Sequence, residues 1–319
     1  YCQTLKVFHS GDGITWDFVK SFPIKPLQAR YDYEFWPVAA SPNPNQFYIY
    51  ADRDDEVSAA IKLYDVNENR VVKTMFQDPN WDVDAVFIDT YTHDYLGVQY
   101  NKDTLTYEMK DADIQAKIDT LIKQFGGKSN VDIQQFNMDS QSALVYVSAP
   151  NNPGEYFHYD LKTETLSFLF PRRPSLDGLL LTETDALTVA TRDGTEIRAY
   201  LTRPEGVAAD KQIPLVVLPH DGPEERDFYD YNSRVQYFAN RGYQVLQVNF
   251  RGSSGYGNAF TEAGFGEWGG VIQTDLMDAV QHLYDQGIAA PNNSCIVGIG
   301  SFGGFAALSA AAFTPDMFA

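Results

Sequence analysis

Through the first 180 residues, apolar and polar positions alternate in short runs broken by turn residues, the pattern of half-buried β-strands. Residues 45–51, 94–100 and 141–148 each follow a polar turn with such a strand, and they recur about every 45–50 residues, the period of a four-stranded propeller blade. Residues 63–70 and 158–165 both read strand, polar turn, strand, with Asp65 and Asp160 at matching places. One segment breaks the pattern. Between 112 and 125, Ile114, Ile118, Leu121, Ile122 and Phe125 fall at helical spacing, and Gly126 and Gly127 close the run, which predicts a helical insertion in one blade. Its plain role is packing on the propeller; shaping an entrance or a partner surface is the other. Three to four blades fit into this stretch, whereas a propeller closes into a ring to protect its edges. Residues 8–14 already read as the inside of a blade. The expectation is a partial β-propeller over 1–180, cut on its N-terminal side.

After residues 171–174 the pattern changes to alternating strand and helix. Strands are predicted at 187–191 and 196–202, joined by the turn at Arg192, Asp193 and Gly194. The continuous apolar run 214–218 suits a strand buried on both faces. Then come a helix near 234–240, a strand at 245–250, a Gly-rich loop and a helix at 275–285. A strand at 295–297 leads into a turn at Ser301, and a helix follows from Gly304 to Phe313. Such alternation predicts an α/β domain over 181–319.

Charge narrows the partners. The chain has 24 basic and 43 acidic residues, a net charge of −19. An acidic surface of this size argues against nucleic acid and anionic membrane, and leaves a weak bias toward cationic peptides. No apolar run is long enough to form a membrane-spanning helix. Cys2 and Cys295 lie far apart without metal-ligand spacing, so neither a metal nor a cofactor is expected, and Cys295 reads as a buried free thiol.

The candidate chemistry begins at Ser301. An apolar strand runs into Gly298, Ile299, Gly300, Ser301, Phe302, Gly303 and Gly304, and a small-residue helix leaves it. This is the layout of a nucleophile elbow, where a sharp turn exposes a serine hydroxyl and the helix N-terminus faces any developing anion. The usual pattern is Gly-x-Ser-x-Gly. Gly303 fits it, but Ile299 stands where the first glycine belongs. Either a one-residue bulge restores the packing or the strand accepts a branched residue. A Gly-rich strand–helix turn with an incidental serine would carry the same local sequence.

Leu218, Pro219, His220, Asp221, Gly222 and Pro223 follow the buried strand, at the place where such hydrolases put their second oxyanion donor. Alone, this is an ordinary Asp-Gly-Pro turn. Paired with the elbow, it favours a role for the Gly222 N–H, which no Cβ obstructs.

Here the residues resemble the prolyl oligopeptidase family, in particular its acylaminoacyl-peptidase-like and bacterial dipeptidyl-peptidase-like branches. Six ordered segments between 214 and 318 carry the likeness: 220–223, 241–243, 248–257, 266–269, 275–280 and 301–305. That family caps an α/β-hydrolase domain with a propeller, so the resemblance implies the N-terminal half of an α/β hydrolase preceded by part of a β-propeller. It also implies Ser301 as nucleophile and the backbone N–H groups of Phe302 and Gly222 as the oxyanion hole. His220 stands where related branches place an oxyanion-binding tyrosine, and so it either contributes its ring or shapes the loop. Asp221 replaces a usual glycine; pointing inward, its carboxylate would weaken oxyanion binding. Arg251 and Glu267 match family positions and are read as scaffold.

A triad on this fold takes its acid and histidine after the nucleophile in chain order. Only Asp316 follows Ser301, too closely, and the five histidines His9, His93, His158, His220 and His282 all precede it. His282 reads as a helix-surface residue. The triad Asp and His are therefore expected outside these residues, and without a base Ser301 is a weak nucleophile near neutral pH.

The expected function is a serine-type peptidase that acts on short peptides through an acyl-enzyme on Ser301, with this segment alone inactive. An esterase on the same fold, or a propeller-based interaction protein with a degraded hydrolase domain, are the alternatives. Homo-oligomerisation, cleavage preference and compartment, whether cytoplasmic or periplasmic and secreted, stay open.

Overall fold

A computed structural model describes residues 4–23, 35–51, 58–137, 141–208 and 211–318. The first half is short strands in small antiparallel sheets, as a propeller portion would be. The strands β1 (Thr4–His9) and β2 (Asp17–Pro23) form a hairpin. Next, β3 (Trp36–Ala40), β4 (Gln46–Ala51), β5 (Ala60–Asp65) and β6 (Arg70–Phe76) form a four-stranded sheet in chain order. A three-stranded sheet follows, of β7 (Val83–Ile88), β8 (Tyr95–Asn101) and β9 (Leu105–Met109). After the helix α1 (Ala112–Gln124), a second four-stranded sheet orders β10 (Asn130–Asn137), β11 (Ser142–Ala149), β12 (Asn152–Asp160) and β13 (Thr165–Pro171). The three repeated segments are β4, β8 and β11, the second strand of each sheet. In chain order, α1 stands after the third strand of the three-stranded sheet, where its neighbours have a fourth.

Turn chemistry explains the matching hairpins. Asp65 Oδ1 accepts from the N–H groups of Asn67 and Glu68, and Asn69 then takes φ 51°. Asp160 Oδ1 accepts from Lys162 and Thr163, and Glu164 takes φ 53°. The same side chain therefore folds the same turn in two sheets, and each bond replaces one that the chain reversal leaves unmade.

The remaining strands build one five-stranded sheet. These are β14 (Thr184–Ala190), β15 (Glu196–Thr202), β16 (Leu215–Val217), β17 (Gln244–Asn249) and β18 (Ser294–Ile296), ordered β14-β15-β17-β16-β18. Its first two pairings are antiparallel, while β16 runs parallel to both β17 and β18. Parallel neighbours require crossovers. Helix α2 (Ser233–Ala239) lies between β16 and β17; α3 (Asn258–Glu262) and α4 (Val271–Asp285) lie between β17 and β18; α5 (Gly300–Phe313) leaves β18. Leu215, Val217, Leu246, Val248, Leu276, Val280 and Phe302 are buried in one core, with strand positions contributing alternate residues. Two helices start earlier than the sequence predicts: α4 at 271 rather than 275, and α5 at 300 rather than 304. Both openings are glycine-rich and are held by side chains from outside the first turn, which a local propensity reading does not see.

The described residues form two compact units. One gathers β1–β8 with residues 106–115 and 255–258; the other gathers the later turns of α1, β10–β13, and the chain from β14 onward apart from 255–258.

Candidate active site

Strand β18 ends at Ile296 and its direction continues through Val297, whose N–H donates to the Val217 carbonyl at 2.9 Å. Ile299 is still extended, at φ −128° and ψ 137°. Cys295, Val297 and Ile299 therefore share one face and pack against a core of Val216, Leu218, Val235 and Val245. No bulge forms at the misfit. The strand accepts the branched residue because Ile299 is its next inward position.

The close approach falls instead on Gly298 and Gly303: a Cβ on Gly298 would run into the Gly303 carbonyl. The left-handed turn falls on Gly300, at φ 81°, one residue before Ser301. Ser301 lies in the first turn of α5, exposed, and its hydroxyl bonds to no described residue. The sharp conformation expected at the serine is thus carried by a glycine, which adopts it without steric cost.

Helix α5 gets no cap from its own N-cap residue, Ile299. Asp221, from the loop after β16, supplies one. Its Oδ1 accepts the Phe302 N–H at 2.5 Å, and its Oδ2 accepts the Ser301 N–H at 3.2 Å. Burial pulls the Asp221 carboxyl upward, but the amides of Phe302, Ser301, Gly222 and Gly303 together hold it below the usual carboxylate range. Of the two N–H groups expected from sequence as oxyanion donors, that of Phe302 donates to the Asp221 side chain, while that of Gly222, next to Asp221 in the chain, favours the charged form of the same carboxylate. A Cβ on Gly300 would also collide with that carboxylate.

His220 is buried and stacks on Phe250 with ring centroids 4.2 Å apart. Its Nδ1 lies 2.7 Å from the Asp221 carbonyl and its Nε2 lies 2.9 Å from Ser253 Oγ. Burial drives its pKa down to about 4, so at neutral pH the ring is uncharged. Both nitrogens hold the loop, and neither contacts Ser301.

Arg251 and Glu267 bind their own surroundings. Arg251 forms a fork on Asp275, with Nη2–Oδ1 at 2.6 Å and Nε–Oδ2 at 2.9 Å, and it reaches Asp193 Oδ2 at 2.5 Å. It ties the β14–β15 turn to α4 and the end of β17. Glu267 Oε2 accepts the Val271 N–H at 3.1 Å, capping α4 where Gly270 has no side chain to do so. His282 lies in the last turn of α4, and Asp316 is exposed in the short turn after α5. A cavity of about 660 Å³ between α4 and the far end of α5 includes Met277, Tyr284 and Phe313 in its wall, but not Ser301.

Sequence reasoning missed Asp227. Its Oδ1 accepts from Gln247 Nε2 at 2.6 Å, while its buried Oδ2 has no partner. Burial raises its pKa to about 7 despite Gln247 and Arg226. Asn249 grips the same residue through its N–H and carbonyl, at 2.7 and 2.9 Å. Polar residues at 247 and 249 in an otherwise apolar strand were the available signal. Among the described residues no group of His, Cys, Asp or Glu is arranged to hold a metal ion.

Residues 229–319 match the prolyl oligopeptidase family. Dipeptidyl aminopeptidase BIII of Pseudoxanthomonas mexicana is 37% identical over 278 residues, covering 85% of this chain and 40% of the relative. Dipeptidyl peptidase family member 6 of Caenorhabditis elegans is 33% identical over 210 residues, covering 60% of this chain and 28% of the relative. The chain thus spans less than half the length of the curated relatives it matches. A solved puromycin-hydrolyzing peptidase of Mycobacterium tuberculosis superposes with a TM-score of 0.68 at 22% identity, covering 95% of this chain and 46% of that one. These matches bear out the resemblance drawn from the ordered motifs.

Proposed function

We propose that this chain, part of a prolyl oligopeptidase family protein, is the nucleophile-bearing portion of a serine peptidase that cleaves short peptides through an acyl-enzyme on Ser301. One observation carries the reading. Beside the free hydroxyl of Ser301, the Phe302 and Ser301 N–H groups donate to one anion, the carboxylate of Asp221. That slot suits the negative charge that develops on a carbonyl oxygen under attack.

Placement supports it. Ser301 follows the C-terminal end of a parallel strand, where open α/β sheets bind their ligands. With β14–β18 read as the first half of an α/β hydrolase and β1–β13 as part of a propeller, the reaction follows. Ser301 Oγ attacks a peptide carbonyl and loses its proton to a base. The amine leaves carrying a proton, and water then releases the acid from the ester. No histidine follows Ser301 in these residues, and both ring nitrogens of His220 are engaged. We therefore read these 319 residues by themselves as inactive, with the base supplied by the whole protein. The propeller reading restricts access to short peptides.

The test compares the full-length protein with its Ser301→Ala variant on dipeptidyl anilides and on acyl esters. Turnover of the anilides that is lost in the variant is expected. Ester turnover alone would favour the esterase. The Asp221 carboxylate in the slot favours a second reading, a propeller interaction protein on a degraded hydrolase domain, which predicts turnover of neither.

A further inference from the structure

We infer that Asp221 is a built-in occupant of the anion slot beside Ser301, and that the site becomes competent only when this side chain swings out. The inference rests on the reading of Phe302 and Gly222 as oxyanion donors and concerns how that site is regulated.

The Phe302 N–H, one of the two expected oxyanion donors, is already spent on Asp221 Oδ1 at 2.5 Å. The Ser301 N–H is engaged by the other oxygen. A second anion could not share these amides, because two negative charges at that separation repel each other and each N–H has one hydrogen to give. The surrounding backbone is shaped for the carboxylate: a Cβ at Gly300 would collide with it.

The means of release is also present. The backbone of Asp221 is anchored, since its carbonyl lies 2.7 Å from Nδ1 of the buried His220. His220 is in turn fixed by Phe250 and Ser253. The carboxylate, by contrast, is only partly buried, and it is held by the main-chain amides of Ser301 and Phe302. Rotation about two side-chain bonds moves it toward water while the loop and the Gly222 N–H stay in place. A peptide bound along its length can supply the free energy for that rotation, whereas a small reagent bound by few contacts cannot. Asp221 thereby makes the site favour anchored substrates over small acylating agents.

A small alkyl fluorophosphonate used on the full-length protein tests this, with the labelling rate and the labelled residue read by mass spectrometry. The comparison is wild type against Asp221→Gly and Asp221→Asn, with Ser301→Ala as the blank. Asp221→Asn keeps a hydrogen-bond acceptor for α5 and so guards against a folding defect in Asp221→Gly. Removing a single oxyanion donor costs about 100- to 1000-fold in rate, so freeing one should accelerate Ser301 labelling at least tenfold in folded Asp221→Gly. The acceleration should be smaller in Asp221→Asn, whose neutral oxygen still accepts the Phe302 N–H but lacks the charge that repels a developing oxyanion. Labelling of Ser301 at an unchanged or lower rate in the folded variants would overturn the inference while leaving the nucleophile assignment intact. No label on Ser301 in any of the three proteins would overturn both.

Discussion

The Asp221 carboxylate accepts the Phe302 N–H at 2.5 Å, across 81 residues of sequence. The contact joins the loop after β16 to the first turn of α5, so one side chain both caps a helix and fills the slot next to Ser301. A residue with two such duties should show a trade between stability and activity.

As a cap, Asp221 neutralises the positive end of α5, which Ile299 leaves bare. Replacing it with Ala should lower unfolding free energy by about 1–2 kcal/mol, the usual loss for a helix cap. Urea denaturation of the full-length protein checks this. An unchanged midpoint would mean that the carboxylate spends its time in water.

Ile299 is the departure from the family pattern, and the packing predicts that restoring glycine there is harmful. Ile299→Gly should destabilise by about 2 kcal/mol or more through lost contacts with the Val216–Leu218 core. Gly298→Ala should cost more still, because its Cβ meets the Gly303 carbonyl. Thermal unfolding of both variants gives the order; a stabilised Ile299→Gly would contradict it.

Arg251 and Asp275 form a charge pair whose side chains are 12% and 0% exposed. Removing one partner leaves a buried charge uncompensated, so Asp275→Ala should cost about 3–5 kcal/mol. The double variant Arg251→Met, Asp275→Leu should recover part of that loss. Equal effects in the single and double variants, measured by urea denaturation, would argue against the pairing.

His220 gives stability a pH dependence of definite sign. Its folded pKa, about 4, lies below the value near 6.5 expected when unfolded. As pH falls from 6.5 to 4, the unfolded chain takes up a proton that the folded chain refuses, so stability is lost across that window. The loss is on the order of 3 kcal/mol at its lower end. A His220→Gln variant should lose that component of the slope, and urea midpoints at pH 4.5, 5.5 and 7 compare the two. Parallel curves would mean that the ring is solvated.

Much of this architecture was legible because it is local. Asp65 and Asp160 fold their own turns from bonds to residues two and three ahead, so the repeat showed in the sequence. Strand β16 is apolar throughout because both its faces are buried. The site was legible only in part. The sequence led to the expectation of Phe302, Gly222 and Ser301 in one neighbourhood and flagged Asp221, whose carboxylate does meet the Ser301 and Phe302 amides. Which way that carboxylate points depends on an amide 81 residues away, and no local pattern encodes it. The early starts of α4 and α5 were missed for the same reason: Glu267 and Asp221 hold their first turns from outside. Asp227 was missed because its partners, Gln247 and Asn249, lie on the next strand.

The central claim is that the Phe302 and Gly222 N–H groups form one anion slot that serves Ser301. A crystal structure of the full-length protein after fluorophosphonate treatment tests it most directly. The account predicts phosphonate on Ser301 Oγ, with a phosphonyl oxygen within hydrogen-bonding distance of both N–H groups and the Asp221 carboxylate turned out of the slot. An unmodified Ser301, or an adduct whose oxygen lies elsewhere while Asp221 still holds the Phe302 N–H, would contradict it.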